Sequence, residues 1–297
     1  MIIVSRPERV WAVCRDVRRG FRSFIALVSL AGFYLWPTPP VTAGDRVLDQ
    51  VSDASVQQYG AKLLARIPHN PSHFTQGLAF GQGALWESTG HYGKSQLIQY
   101  PWASGSTKIQ PTAQLQLRSD EFGEGLTILG DTVYQLTWKE GKVHRYQIAE
   151  TTITPLPSWP NDKQGWGLTT DGTYLIASDG SDVLYFHSPV DFSMVKSIPV
   201  RLAGASISRL NELEWINGRI WANVWGSDNL VIIDPDTGRV TGVVDCRQLV
   251  DDAKRSHAGA GVLNGIAWDV RSEALLLTGK HWPWIYRVSL VEHKNKP

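Results

Sequence analysis

The sequence predicts an all-β chain built from five copies of one strand hairpin, and three observations support the prediction. First, a motif of a polar or aromatic residue, an apolar strand, a tight turn and a second strand recurs along the chain. Its buried-type anchors, Leu78, Leu126, Leu168, Leu213 and Ile266, are 48, 42, 45 and 53 residues apart. Second, the turns Gly130-Asp131, Asp171-Gly172 and Asn217-Gly218 use residues that tolerate positive φ, the chemistry of two-residue hairpins. Third, no helical periodicity of comparable length competes with the alternating strands. A period of roughly 40–50 residues is that of four-stranded propeller blades. The expected architecture is therefore a five-bladed β-propeller closed by an N-terminal strand.

The elements follow in order. KLLARI, residues 62–67, is a strand with no repeat of its own and precedes the first copy, FTQGLAFGQGALWESTG. FGEGLTILGDTVYQLTW, GWGLTTDGTYLIASDG, LNELEWINGRIWANVW and LNGIAWDVRSEALLLTGK are the other copies. Third strands follow as SQLIQY, KVHRYQI, DVLYFH, NLVIID and WIYRVSL, and fourth strands follow the first four copies. The fifth copy runs out after three strands near Leu290. Residues 62–67 are expected to supply its missing outer strand, pairing near Trp284–Val288 and removing a free sheet edge.

Ahead of the repeats, residues 1–43 read as an export signal or, alternatively, a retained anchor. Arg18, Arg19 and Arg22 precede the apolar run Phe24–Trp36, whose 13 residues fall short of a bilayer span of about 20. Pro37, Pro39 and Pro40 then break the run, and Val41-Thr42-Ala43 offers small residues for cleavage near Gly44. Arg18-Arg19 leaves open whether export is of the general or twin-arginine type. The mature protein is expected in the periplasm or outside the cell, as a monomer. Residues 44–61 are expected to be a linker and 62–297 the propeller. Of two cysteines, Cys14 would leave with the signal, so Cys246 has no intrachain partner and reads as buried structure.

Without residues 1–43 the chain holds 23 basic and 26 acidic residues, which gives no electrostatic basis for binding nucleic acid. Two positions become comparable across the copies. Two residues before each anchor stand Gln76, Glu124, Trp166, Asn211 and Asn264; at the end of each second strand stand Gly90, Trp138, Gly180, Trp225 and Lys280. The start of one hairpin strand and the end of the other are neighbours, so both sets are expected at one mouth of the ring. The mouth would hold one carboxylate, three amides, three indoles and an ammonium. The indoles would desolvate Glu124 and raise its pKa, making it a group that can accept and donate a proton. Lys280 and the amides could hold developing negative charge. Each residue also has a plainer reading: tryptophans as blade-closing residues, Asn211 and Asn264 as backbone caps, Glu124 and Lys280 as solvated charges. The histidines show no metal-ligand spacing, and Glu214, flanking Leu213 with Glu212, is expected to point away from the mouth.

The blocks FTQGL, ESTGHYGKS, FGEGLT, GWGLTTDG, LNELEW, ANVW, LNGIAWD and TGKHWP resemble the plant and bacterial glutaminyl cyclases, the glutamine cyclotransferase family that includes the papaya latex enzyme. The resemblance spans residues 62–290. It implies a five-bladed propeller that converts an N-terminal glutaminyl residue of a peptide or protein to pyroglutamate with release of ammonia. It also implies Glu124 as the catalytic acid/base. Gln76, Asn211 and Lys280 would bind substrate and the oxyanion, and Phe74, Trp138, Trp166 and Trp225 would form an aromatic wall. Asn264 joins the substrate-binding set on its register. No catalytic metal is implied, and a structural calcium in the tunnel is left open. Asn70 after His69 and Gln164 before GWGL depart from the family pattern. Two other readings stand: a calcium-dependent, lactonase-like propeller hydrolase, for which Gln76, Glu124, Asn211 and Asn264 are oxygen ligands, and a propeller that binds peptides without turning them over.

Overall fold

The computed structural model describes Leu48 and residues 55–293 except Ser104 and Thr151. The expected export signal, its cleavage point and Cys14 lie outside the described residues. The described residues fall in one compact unit.

Strand β1 spans Gln57–Pro68. After it come β2 (Thr75–Gly81), β3 (Ala84–Thr89), β4 (Gln96–Pro101) and β5 (Ala113–Gln116), which form a four-stranded antiparallel sheet in that order. Two more four-stranded sheets follow. One is β6 (Gly123–Leu129), β7 (Thr132–Thr137), β8 (Lys142–Ala149) and β9 (Thr152–Pro160). The other is β10 (Leu168–Thr170), β11 (Leu175–Ser178), β12 (Val183–His187) and β13 (Met194–Pro199). A small hairpin, β14 (Arg201–Leu202) and β15 (Ala205–Ser206), precedes β16 (Leu210–Ile216), β17 (Arg219–Val224), β18 (Asn229–Ile233) and β19 (Val240–Asp245). Helix α1 (Arg247–Ser256) then leads to β20 (Leu263–Asp269), β21 (Ala274–Gly279) and β22 (Trp284–His293).

The last two runs join into one eight-stranded sheet, β16-β17-β18-β19-β1-β22-β21-β20. The joint is β1. It pairs antiparallel with β22, Leu63 opposite Val288 and Ile67 opposite Ile285, as expected from the short fifth repeat. Its first residues also pair parallel with β19, Tyr59 opposite Val244. The strand therefore starts before residue 62, and Gln57–Ala61 belong to the sheet rather than to a free segment. Gln58–Gly60 are paired on both flanks, while from Ala61 onward β1 pairs with β22 alone, so β1 joins the two runs over its first residues.

The first strands touch one another in the order β2, β6, β10, β16, β20 and back to β2. The anchors Leu78, Leu126, Leu168, Leu213 and Ile266 are all buried on them. Of the three expected turns, only Asn217-Gly218 has positive φ at both residues, 49° and 76°; in the other two the glycine alone is left-handed, Gly130 at 63° and Gly172 at 88°, and Asp131 and Asp171 are not. Helix α1 was not expected from the sequence; it occupies the longest repeat spacing, between Leu213 and Ile266. Its Leu249, Val250 and Ala253 pack with Trp282 and Tyr286. No described helix is long and apolar enough to cross a membrane.

Asp252 pins α1 to the closing strands. Its carboxylate accepts two hydrogen bonds from Arg66, each 2.8 Å, and one from the Tyr286 hydroxyl at 2.9 Å. The Arg66 hydrogen bonds lead in lowering its pKa from 3.8 to about 2. A depressed carboxylate stabilises the fold above its unfolded pKa, and that stability is lost as the pH falls from 3.8 through about 2. Asp252→Asn is expected to cost about 1 kcal/mol or less at neutral pH, because Arg66 is largely exposed. That corresponds to roughly 2–4 °C in Tm for each kcal/mol. In thermal melts the gap from wild type should narrow as the pH falls below about 4. A gap that stays constant with pH would show that the loss is packing, not charge.

Candidate active site

The inner strands carry the site because four of the five begin with an irregularity. Strand register shifts between Thr75 and Gly77, Gly123 and Leu126, Leu210 and Leu213, and Leu263 and Ile266. Gln76, Glu124, Asn211 and Asn264 lie inside these bulges, which unpair a residue and re-aim its side chain. Glycine follows the site residue where the next inner strand comes closest. A Cβ on Gly125 would lie 2.5 Å from the Leu168 amide nitrogen, and one on Gly77 would lie 2.6 Å from that of Leu126. The Gly-Glu-Gly opening of the second repeat therefore serves close strand approach, with the carboxylate turned out of the ladder.

The two comparable positions do meet. In four repeats the residue ending the second strand donates its backbone N–H to the carbonyl two residues before the bulged residue. These pairs are Gly90 to Phe74, Trp138 to Phe122, Trp225 to Arg209 and Lys280 to Val262, at 2.8–3.0 Å. Across the repeats, Gln76 links the charged groups. Its Nε2 donates to Glu124 Oε1 at 2.9 Å, and its Oε1 accepts from Lys280 Nζ at 2.5 Å. Asn264 Nδ2 donates to the Thr75 carbonyl at 3.0 Å and reaches Gln76 Oε1 at 3.4 Å. Gln76, Glu124, Asn211, Asn264 and Lys280 are all buried. The side-chain oxygens of Asn211 and Asn264 are buried without a hydrogen-bond partner. Two acceptors facing no donor suit a ligand that brings N–H groups.

Aromatic side chains run in an arc beside this chain. Lys280 Nζ sits 4.3 Å above the Phe74 ring. Phe74 meets Phe122 edge-on at 6.0 Å, and Phe122 meets Trp138 at 5.5 Å. Gln164 Oε1 then accepts from both Trp138 Nε1, at 3.0 Å, and Trp166 Nε1, at 3.3 Å. Trp166 and Trp225 meet edge-on at 6.1 Å. Gly90 and Gly180, the small members of the second position, leave room for this arc. A Cβ on Gly90 would fall on the Phe122 ring, and one on Gly180 would fall on Trp166. Phe122 was missed in the sequence, although it precedes Glu124 by the same two residues by which Phe74 precedes Gln76. Gln164 was noticed only as a departure; its position shows it as the link between two indoles.

Burial governs the electrostatics. Desolvation pushes the Glu124 carboxyl well above the usual carboxylate range, against the opposing charge of Lys280 and with a small push from Glu140. Desolvation also lowers Lys280 to about 8, while the Glu124 charge holds it up. Burial thus moves the two groups toward each other, the carboxyl upward and the ammonium downward, the direction a general acid/base needs. Glu212 and Glu214 are a different case. Glu212 accepts backbone N–H bonds from Leu78 and Ile266, and Glu214 accepts one from Trp268. They satisfy amides on the unpaired edges of inner strands, which explains two buried carboxyls outside the reactive chain. Glu214 lies further along β16 than Asn211.

An all-β fold whose inner-strand bulges bring the Glu124 carboxyl and the Gln76, Asn211 and Asn264 amides together with the Lys280 ammonium and an aromatic arc forms a buried polar pocket of the kind that enzymes use. The profile of the glutamine cyclotransferase family matches residues 41–290, and the chain belongs to that family. It is 35% identical over 281 residues to the glutaminyl-peptide cyclotransferase of Arabidopsis thaliana, covering 94% of this chain and 86% of the relative. The crystal structure of Myxococcus xanthus glutaminyl cyclase, 36% identical, superposes with a TM-score of 0.72. The match covers 80% of this chain and all of that one.

Proposed function

We infer that this chain is a glutaminyl-peptide cyclotransferase, turning the N-terminal glutamine of peptides or proteins into pyroglutamate and ammonia. The observation that carries the reading is the hydrogen-bonded chain Glu124–Gln76–Lys280, buried against the arc of Phe74, Phe122, Trp138, Trp166 and Trp225. The four-stranded units are read as five blades of a closed propeller, since the inner strands touch in ring order. The site lies at one mouth of its tunnel.

In this reading the N-terminal glutamine side chain folds back so that its α-amine faces its own γ-carboxamide carbon. Glu124, as carboxylate, takes a proton from the α-ammonium. The freed amine attacks the carbonyl carbon, and the C–N bond of the lactam forms. Lys280 and the Gln76 amide stand where the carbonyl oxygen becomes an oxyanion. Glu124 then returns its proton to the carboxamide nitrogen, whose C–N bond breaks; the attacking nitrogen gives up its second proton to the Glu124 carboxylate as the lactam is released, and that proton leaves with the ammonia as ammonium. The unpartnered oxygens of Asn211 and Asn264 accept the substrate's N–H groups. The aromatic arc holds the substrate stem and keeps water from Glu124, and so sustains its raised pKa.

No step calls for a metal. A structural calcium would find Glu212 in the tunnel, with one lone pair on each oxygen beyond the amide it accepts; its part would be to neutralise that carboxyl. The export-type N-terminus supports a periplasmic or secreted enzyme acting as a monomer on N-terminal glutamine of exported chains.

A coupled ammonia assay with a glutaminyl dipeptide tests the reading. One ammonia per pyroglutamyl product is expected, with no loss on adding a chelator. Binding without ammonia release would favour a peptide-binding module, and activity abolished by chelation would favour a calcium-dependent hydrolase.

A further inference from the structure

Beside the reactive chain lies a second buried polar cluster. Its centre is Glu87 on β3, fully buried. The carboxylate accepts from Thr75 Oγ1 at 2.7 Å, from the Tyr100 hydroxyl at 2.8 Å and from His69 Nε2 at 3.0 and 3.1 Å. It also accepts from His73 Nδ1 at 3.0 Å. The ligand atoms of His69, His73 and Glu87 all fall within 4.8 Å of one another, a set that could attract a transition metal. None of this was visible in the spacing of the three residues.

The neighbours decide the protonation. Asn70 Oδ1 accepts from the Ser72 backbone N–H and hydroxyl, so its Nδ2 faces His73 Nε2 and donates to it at 3.1 Å. His73 Nε2 is then the acceptor, and Nδ1 carries the hydrogen directed at Glu87. His69 Nδ1 donates to the Trp282 carbonyl at 2.9 Å, so its Nε2, facing a carboxylate, is also a donor. Burial opposes the charge on His69, but Glu87 outweighs it and raises the pKa; the histidines in turn hold Glu87 well below the carboxylate range. Neither ring turns a lone pair toward its partner, and the carboxylate is saturated with donors. The cluster is complete as a hydrogen-bonded ion pair.

Its place in the fold gives it a task. Residues 69–73 lead directly into Phe74 and, two residues on, Gln76. The same segment is tied to the stretch that carries Lys280. The His69 N–H donates to the Pro283 carbonyl at 2.9 Å and the His281 N–H to that of His73 at 2.8 Å, and the His281 ring reaches the Pro71 carbonyl at 3.0 Å. Gln76 and Lys280 come from opposite ends of the chain and have to meet at hydrogen-bond distance. We propose that Glu87, with His69, His73, Thr75 and Tyr100, is a positioning clamp that fixes the lead-in to Gln76 against the Lys280 segment and so sets the Glu124–Gln76–Lys280 chain. Its members stand outside the Glu124–Gln76–Lys280 chain and act through it. The proposal rests on the reading of that chain as the reactive centre, because its effect is exerted only through those three residues.

Glu87→Gln and Tyr100→Phe test it, with Glu124→Gln run in parallel. A displacement of well under 1 Å in the reactive chain should lower kcat roughly 10-fold in Glu87→Gln and by about 3-fold in Tyr100→Phe, with KM for a glutaminyl dipeptide changed less. The alkaline limb of kcat should move to higher pH in both, because a loosened Lys280 is better hydrated. Should Glu87→Gln not fold, Tyr100→Phe, which removes one hydroxyl, carries the decision. A folded Tyr100→Phe with a lowered Tm but wild-type kcat and pH profile would overturn the clamp and leave a structural cluster. So would one equivalent of zinc retained by the wild-type protein through gel filtration and lost in His73→Gln. If Glu124→Gln is inactive while both clamp variants match wild type, the clamp fails and the site stands. If Glu124→Gln is fully active, the site itself is misplaced.

Discussion

Glu124→Gln is expected to lower kcat by on the order of 10²–10⁴, the range for loss of a general acid/base, and to leave the fold intact. Glutamine cyclisation has its nucleophile and electrophile in one molecule, so part of the proximity advantage is already present. What remains is to take a proton from an ammonium and give one to a poor leaving group. Among the described residues of the mouth, Glu124 is the carboxyl placed for both transfers. Its replacement keeps an oxygen for the Gln76 Nε2 hydrogen bond and removes a buried acid whose charged form is disfavoured by desolvation. Stability should therefore hold while turnover falls. Residual activity carries a second signature. Lys280 is lowered to about 8 by burial, and the Glu124 charge is what holds it up. Removing that charge should move the alkaline limb of the residual activity below about 8. Turnover within a few-fold of wild type, in steady-state assays with a glutaminyl dipeptide, would reduce Glu124 to a binding or structural residue.

Lys280→Ala should cost roughly 10²–10³ in kcat, the loss typical of removing one oxyanion donor. It should also shift the other side of the pH profile. Lys280 is the group that pulls the Glu124 pKa down against burial. Without it, Glu124 needs a higher pH to lose its proton, so the acidic limb moves up. Lys280→Met removes the charge that sits over the Phe74 ring and keeps the length of the side chain. The methionine variant should match alanine in kcat and in the acidic limb, while staying nearer to wild type in KM. An acidic limb that stays in place in both variants would mean that Glu124 and Lys280 do not share a field during turnover, and would count against the ammonium as the oxyanion partner.

The comparison of sequence with structure turns on how far apart interacting residues lie. The repeats, the hairpin turns, the closing strand and the alignment of Gln76, Glu124, Asn211 and Asn264 were legible because each depends on local patterns repeated at one spacing. Glycine at turns, alternation along strands and a polar residue two before a buried anchor all follow from backbone sterics and burial within about a dozen residues. Phe122 was legible by the same rule and was overlooked. Helix α1 was overlooked too: Leu249, Val250 and Ala253 fall on one face, but a ten-residue helix is marginal alone and is held by its packing on Tyr286 and Trp282 and by the Asp252 bonds to Arg66 and Tyr286. The bulges were not legible, since they need a partner strand to be defined, nor were the inner-strand amides that claim Glu212 and Glu214. The sequence by itself determined which residue types stand at the mouth. The tertiary structure alone decided their chemistry, because desolvation and charge coupling arise only when Glu124, Gln76 and Lys280, up to 204 residues apart, are buried together.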